Sequence, residues 1–191
     1  MNQPLQDHLD QMAAALQGAA RPHWVRIVVW IGRLLEKGET SGFTYPNRVV
    51  TYDGSELGAD YITSGAALAR VDAQALDALT VGQPEAGWTI LRFELDRDGA
   101  QRADFSHEPA RELEDSANDE FWDGVHDYVT LNHDELERFV SRLREQGDLP
   151  DPATTPSGPD PMSLPPSQRP GAAGAAGTEA RGRLGRLFGR G

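Results

Sequence analysis

The sequence predicts an α+β protein, with an antiparallel sheet of about four to five strands packed by N- and C-terminal helices, followed by a disordered C-terminal tail. Apolar residues recur at helical spacing near both ends of the first 149 residues. Short β-branched and aromatic runs, separated by turn residues, lie between them. After Pro150 the composition changes to proline, glycine and alanine. We therefore expect an α+β domain over residues 1–149 and a tail over residues 150–191.

The first two elements are a helix and a central strand. Pro4 suits a first helical turn and Gly18 lies near the expected stop. The run from Trp24 to Ile31 is rich in β-branched and aromatic residues, and it is apolar on both faces around Val28 and Val29, as in a central strand. The helix is predicted from residues that recur at spacings of three and four: Leu5, Leu9, Met12, Ala13 and Leu16.

The middle of the chain predicts further strands and a broken helix. A turn is expected from Gly38 to Gly42. The runs 43–45 and 49–52 then indicate one or two strands, with Pro46 as a break or an edge. A weaker helical pattern covers residues 66–81, and we expect it to break near Asp72.

A hairpin and a last helix complete the predicted domain. Residues 88–95 and 101–105 are typical of paired strands, and Asp98 with Gly99 forms a strong turn signal between them. Asn132 stands three residues before Glu135 and predicts a side-chain cap at the start of a helix over residues 133–146. That helix should end at Gly147.

The tail differs from the domain in composition. It cannot bury enough apolar surface to offset the entropy of ordering, so it is predicted to be disordered. Its end, residues 181–190, alternates arginine with leucine, phenylalanine and glycine. Two interpretations stay open for this basic end: an unstructured terminus, or a segment that docks on an acidic surface or a membrane.

The charge balance bears on the kind of partner. The chain holds 30 acidic and 18 basic residues, a formal net charge of -12, and residues 1–150 alone hold 27 acidic and 13 basic side chains. Such a surface repels nucleic-acid phosphates and attracts cationic proteins. We expect a basic protein partner and no direct nucleic-acid binding, although solubility alone also accounts for the acidity.

We expect a cytoplasmic protein without a membrane span. The N-terminus lacks the basic flank and apolar run of a signal peptide, and no apolar stretch approaches the ~20 residues that span a bilayer. The chain has no Cys, which fits a reducing compartment and excludes thiolate chemistry.

The patterns of common catalytic sites are missing from the sequence. No glycine-rich phosphate loop precedes a helix, and no serine stands in a Gly-x-Ser-x-Gly elbow. His107 near Asp104 and Glu108, and His126 near Asp123 and Asp127, lie among acids, but a polar hairpin residue and a solvated turn explain them better than a metal site. We predict no enzyme activity and no cofactor.

Large apolar and acidic side chains are mixed in the connection that runs from Glu112 to Asp127. Phe121, Trp122 and Tyr128 in or beside it suit a binding anchor with a charged rim, while packing back on the sheet is the alternative. With the end of the hairpin, this connection supplies the candidate partner-binding residues: Asp104, His107, Glu108, Asp119, Glu120, Trp122, Asp123 and Asp127.

The order of several short motifs resembles the YezG-like family of bacterial immunity proteins. Trp24 precedes a β-rich run, Trp88 and Thr89 open a later strand, a turn follows at residues 98–99, and residues 104–105 form an Asp-Phe pair at the end of the return strand. The resemblance covers roughly residues 5–109. It implies an antitoxin that blocks a cognate secreted toxin, often a nuclease.

Resemblance and charge together predict an immunity protein that binds and neutralises a cognate toxin protein. A secretion-system adaptor or chaperone is the alternative, in which the acidic domain carries a client and the basic tail end docks elsewhere. An enzyme with an unrecognised carboxylate or metal site is the third hypothesis. The oligomeric state is not predicted by the sequence.

Overall fold

The computed structural model describes residues 2–112 and 124–149, and the predicted disordered tail lies outside the described residues. The α+β class is confirmed. The helices are α1 (Gln3–Ala19), α2 (Gly65–Leu68), α3 (Ala73–Thr80), α4 (Tyr128–Leu131) and α5 (His133–Glu145). The strands are β1 (Trp24–Glu36), β2 (Glu39–Thr44), β3 (Asn47–Tyr52), β4 (Leu57–Asp60), β5 (Ile90–Asp96), β6 (Gln101–Ser106) and β7 (Arg111–Glu112).

The sheet is organised around β1, the long strand that was predicted to be central. Its main path has the order β4-β3-β1-β5-β6, with antiparallel pairs throughout. From Gly32 onward, β1 pairs with β2 antiparallel, and from Leu34 it pairs with β7 in parallel. Five strands therefore lie on the path, as predicted, and the two strands outside the path extend the sheet to seven within the described residues.

The hairpin between β1 and β2 corrects one predicted turn. Lys37 and Gly38 both have positive φ, 55° and 83°, which matches the two-residue turns that suit the twist of paired strands. The predicted turn from Gly38 to Gly42 was too long, because residues 39–42 already pair with β1.

Local interactions determine two other predicted boundaries, the break between α2 and α3 and the turn between β5 and β6. Asp72 separates α2 from α3, and its Oδ1 accepts from the backbone N–H groups of Gln74 and Ala75 over 3.1 and 3.0 Å. The predicted break in this helical region is confirmed. Gly99 has φ 90° in the turn between β5 and β6, where a side chain would be strained, and this hairpin is also confirmed.

The first sheet face carries the larger core. The alternation of side chains along β1 directs Ile27, Val29 and Ile31 to this face, where they pack against α1, α2 and α3. The predicted stripe of α1 is buried there, and Asn2 caps the helix through a bond from the Leu5 N–H of 2.9 Å. Helix α1 therefore forms as predicted.

The second sheet face is covered by α4 and α5 over β1 and β3. Val28 and Trp30 of β1 pack with Val50 of β3 against Leu136 and Phe139 of α5. On β5 and β6 the same face carries charged side chains, several of them exposed. The open part of this sheet face is thus limited to the β5 and β6 side.

The start of α5 differs from the predicted cap. Asn132 makes no side-chain bond to the first turn of α5, and its Nδ2 instead donates to the Tyr128 carbonyl over 2.7 Å. The reason is that α4 runs almost directly into α5, so Asn132 has a near-helical backbone rather than an extended one. Within the described ranges, no helix is long and apolar enough to cross a membrane.

Candidate protein-interaction site

A buried ion pair joins the two central strands on the second face. Arg26 of β1 lies directly opposite Asp96 of β5, and the two residues are only 2% and 5% exposed. The guanidinium donates from Nε to one carboxylate oxygen and from Nη2 to the other, the latter over 3.2 Å. A two-point contact of this kind fixes orientation as well as charge.

Glu94 is the second buried carboxylate of this face, and it accepts hydrogen bonds from two side chains. Tyr128 Oη donates to Glu94 Oε1 over 2.8 Å and accepts from Arg26 Nη1 over 3.2 Å. Arg102 of β6 donates to Glu94 Oε2 over 2.8 Å. Burial raises the pKa of Tyr128 above its ordinary value, an effect that Arg26 opposes and the charge of Glu94 reinforces.

Helix α5 joins the network through Glu135. Its Oε1 lies 2.8 Å from Arg26 Nη2 and 3.8 Å from Arg102 Nη2. Partial burial opposes ionisation, but the bond to Arg26 and the charges of both arginines outweigh it and lower the pKa of Glu135. For Arg26, burial acts to lower the pKa, yet the bonds to Asp96 and Tyr128 outweigh it and the pKa is raised.

Alternating charges continue outward to β6. Arg92 Nε lies 3.4 Å from Glu94 Oε1, and Arg92 Nη2 lies 3.5 Å from Asp104 Oδ2. Residues at every second position share a face, so these side chains form one layer. We call it the charged face: Arg26, Arg92, Glu94, Asp96, Arg102 and Asp104. Its inner members hold α4 and α5 in one orientation, and its outer members are open to solvent.

The segment leading into α4 is anchored on the other side by β3. Arg48 Nε donates to the Val125 carbonyl over 2.9 Å, and the guanidinium lies 4.2 Å from the centroid of the Tyr61 ring. Burial lowers the pKa of Arg48. This anchor and the Tyr128 bonds flank Asp127 and fix the backbone that presents it.

An exposed leucine with carboxylates around it lies where α4 meets α5. Leu131 is 71% exposed. Asp127 precedes α4 and is exposed, and Asp134 in the first turn of α5 has a fully exposed side chain. Leu131 and Asp134 line the same shallow groove of about 310 Å³, which Glu135, His133 and Arg138 also line. We call Asp127, Leu131 and Asp134 the acidic helix junction, an apolar anchor with a charged rim of the kind found at interfaces.

The structure brings two of the predicted contact residues to the same side of the sheet. Asp104 lies on the charged face and pairs with Arg92. Contacts continue from Arg92 through Glu94 to Tyr128, the residue after Asp127. The linking side chains Glu94 and Tyr128 are buried, so this chain of contacts runs through the interior, while the side chains of Asp104 and Asp127 are exposed.

The other described candidates lie beyond the end of β6. His107 Nε2 is 3.1 Å from the Ala86 carbonyl oxygen, and the backbone N–H of Glu108 donates to Ser106 Oγ over 3.2 Å. Both side chains are exposed. The four remaining predicted contact residues lie outside the described residues: Asp119, Glu120, Trp122 and Asp123.

Sequence reasoning missed the residues that organise the charged face. Arg26 interrupts the apolar run of β1, and a charge inside a buried strand requires a buried partner, which is a readable signal. Tyr128 was grouped with the aromatic anchors of the acidic connection. It follows the alternative, because it is 2% exposed and packs edge-on against Trp30 with ring centroids 5.5 Å apart.

No group of three or more His, Cys, Asp or Glu side chains within residues 2–112 and 124–149 is arranged to hold a metal ion. No protein-family model matches the chain, and no curated protein matches it.

Proposed function

We propose that the protein is an immunity protein that binds and neutralises a cognate secreted toxin protein, with a basic toxin such as a nuclease as the expected class. The observation that carries this proposal is the acidic helix junction, where an exposed Leu131 is bordered by the exposed carboxylates of Asp127 and Asp134. A binding role needs such an anchor on a rigid support.

The support is rigid because the junction is fixed from below. Tyr128 and Glu135, on either side of Leu131, bind buried groups of the charged face. A preformed surface loses little conformational entropy when a partner binds, which favours affinity. The junction is therefore suited to tight binding of a folded partner.

Charge favours a basic partner. Residues 1–150 carry 14 more acidic than basic side chains. Nuclease surfaces that bind phosphate backbones are basic, and opposite potentials accelerate association and orient the encounter. An inhibitor with this field would compete with nucleic acid for the same cationic groove.

The family resemblance supports the same function. Its motifs lie on β1 and on the hairpin of β5 and β6, which supply the arginines and carboxylates of the charged face. YezG-like proteins neutralise toxins by binding them, so the resemblance and the acidic helix junction lead to one proposal.

The test is growth of a host that expresses the toxin-like gene encoded beside this one, with the full chain supplied in trans. The wild type should rescue growth and co-purify with the toxin. The D127K/D134K variant should lose rescue and complex formation, because both rim charges change sign. The absence of both rescue and a complex with the wild type would reject the proposal.

The matched control is E36K/E39K, which makes the same charge change at the β1 and β2 turn. Glu36 and Glu39 are exposed and pair across that turn. Glu36 lies ten residues beyond Arg26 in β1, a distance of about 33 Å along the strand. This control should rescue like the wild type, which separates a loss of the site from a loss of net charge.

A further inference from the structure

Strand β6 forms one end of the sheet path. Within residues 2–112 and 124–149, no strand pairs with its outer side. An exposed edge presents unpaired backbone donors and acceptors, which is the usual template for adding another strand. What can pair with it depends on the direction of its backbone groups and on its side chains.

The backbone direction follows from the hydrogen bonds to β5. The carbonyl of Ala100 accepts from the Asp96 N–H and that of Ser106 accepts from the Thr89 N–H, each over 2.8 Å. Even-numbered residues of β6 therefore face β5. Because direction alternates along a strand, the outward backbone groups belong to Gln101, Ala103 and Phe105.

The side chains of β6 are complementary to themselves. Arg102 and Asp104 stand on the charged face with exposed fractions of 45% and 65%. In an antiparallel pair of two β6 strands centred on Ala103, Arg102 of each copy faces Asp104 of the other. The positions 102 and 104 then form non-hydrogen-bonded pairs, in which side chains approach most closely.

Charge also excludes the neighbouring registers. A pair centred on residue 102 would place the two copies of Arg102 face to face, and a pair centred on residue 104 would do the same to Asp104. Like charges directly opposite each other destabilise a strand pair. The centre at Ala103 also aligns two outward-facing backbones, as a hydrogen-bonded central pair requires.

We propose that two copies of this chain associate through antiparallel pairing of their β6 strands, centred on Ala103, so that one sheet continues across a two-fold axis. A two-fold interface uses the same patch twice, which the pattern of Arg102 and Asp104 satisfies. The association goes beyond toxin binding and does not depend on it.

The first test is the mass of the full-length protein as a function of concentration. As the concentration rises, the average mass of the wild-type protein in solution should increase from 20.8 kDa towards twice that value. The D104R variant should weaken dimerisation at least tenfold, because two arginines then oppose each other at both positions. The A103P variant removes an outward N–H and should also be monomeric, while E39R, a distant charge reversal, should behave like the wild type.

The second test reads the register directly, since the natural chain has no cysteine. In the proposed pair the Cα atoms of the two copies of residue 103 are about 5.5 Å apart, within disulfide range. Those of residue 101 are about 14 Å apart along the strands. Under mild oxidation A103C should form a covalent dimer and Q101C should not.

Three results would overturn the proposal. One is a wild-type protein that stays at 20.8 kDa up to about 0.5 mM, a concentration at which even a weak specific pair would associate. Another is a dimer that D104R leaves unchanged while the variant remains folded by circular dichroism. The third is cross-linking of Q101C as fast as A103C.

Discussion

Arg26 of β1 and Asp96 of β5 face each other across the centre of the sheet and form a two-point ion pair beneath the C-terminal helices. The same guanidinium reaches Tyr128 of α4 and Glu135 of α5. One side chain thereby connects two strands to the helices that carry the acidic helix junction. The position of the acidic helix junction on the sheet therefore depends on the buried charge of Arg26.

Replacing Arg26 should be strongly destabilising. The R26M variant keeps most of the side-chain volume but leaves the buried carboxylate of Asp96 without its main cation and the Tyr128 hydroxyl without its donor. We expect this loss to cost about 3 to 5 kcal/mol. The loss in unfolding free energy is measured by urea denaturation, with tryptophan fluorescence as the signal. R21M is the control, since Arg21 pairs with Asp60 in solvent and should cost under about 1 kcal/mol. Equal losses in both variants would contradict the role given to Arg26.

Glu135 should make the stability of the folded protein depend on pH in the acidic range. Its pKa in the folded protein lies below the ordinary 4.5. Its contribution is therefore complete above about pH 4.5 and is lost as pH falls through the lowered value. We expect E135Q to cost about 1 kcal/mol at pH 7, a small figure because half of the side chain is exposed.

The measurement for Glu135 is the difference in unfolding free energy between wild type and E135Q from pH 7 to pH 3. The difference should shrink below pH 4.5. A difference that stays constant across this range would mean that Glu135 titrates alike in the folded and unfolded chains.

Tyr128 should make the stability of the folded protein fall as pH rises in the alkaline range, the opposite sense to Glu135. Its raised pKa means that the folded state keeps the phenol proton after the unfolded chain loses it, so stability is complete below about pH 10 and falls above that. Y128F should cost about 1 to 3 kcal/mol at pH 7, because two buried hydrogen bonds are lost.

Thermal unfolding at pH 7, 9 and 10.5 checks the Tyr128 prediction. The gap between wild type and Y128F should narrow only at the highest pH. Y61F is the matched control, because Tyr61 is half exposed and its ring can still stack under Arg48. A Y61F variant as damaging as Y128F would argue against a special role for the Tyr128 hydroxyl.

Much of the fold could be predicted because local chemistry determines it. The side chain of Asp72 caps α3 within three residues, and Gly99 meets a purely local need for positive φ. Strand β4 was missed because Leu57–Asp60 contains glycine and alanine, which have little strand preference of their own. Its pairing with β3 supplies the order that its sequence lacks.

The partners of Arg26 in the charged face could not be predicted from the sequence, for a different reason. Arg26 finds Asp96 at a separation of 70 residues and Tyr128 at a separation of 102. Which carboxylate meets which arginine depends on strand register and on the placement of α4, and neither follows from local pattern. The sequence around Tyr128 is compatible with an exposed or a buried side chain, and packing in the fold buries it.

Salt should slow formation of the complex with the toxin if the acidic surface steers the encounter. We expect the association rate to fall at least about tenfold between 20 mM and 500 mM salt, with a smaller change in dissociation, because screening acts mainly on long-range attraction. Stopped-flow fluorescence measures both rates. An association rate that does not respond to salt would exclude long-range electrostatic steering. In that case D127K/D134K should slow association no more than E36K/E39K does.

Removal of residues 150–191 should separate immunity from the adaptor alternative. The charged face and the acidic helix junction both lie within the first 149 residues, so a truncated protein should still rescue growth and bind toxin as tightly as the full chain. An adaptor would need the basic end to dock, and truncation would abolish delivery while leaving client binding intact. The measurement is toxin affinity and growth rescue for both lengths, with the melting temperature as the control for folding. Loss of rescue at unchanged affinity and melting temperature would favour the adaptor.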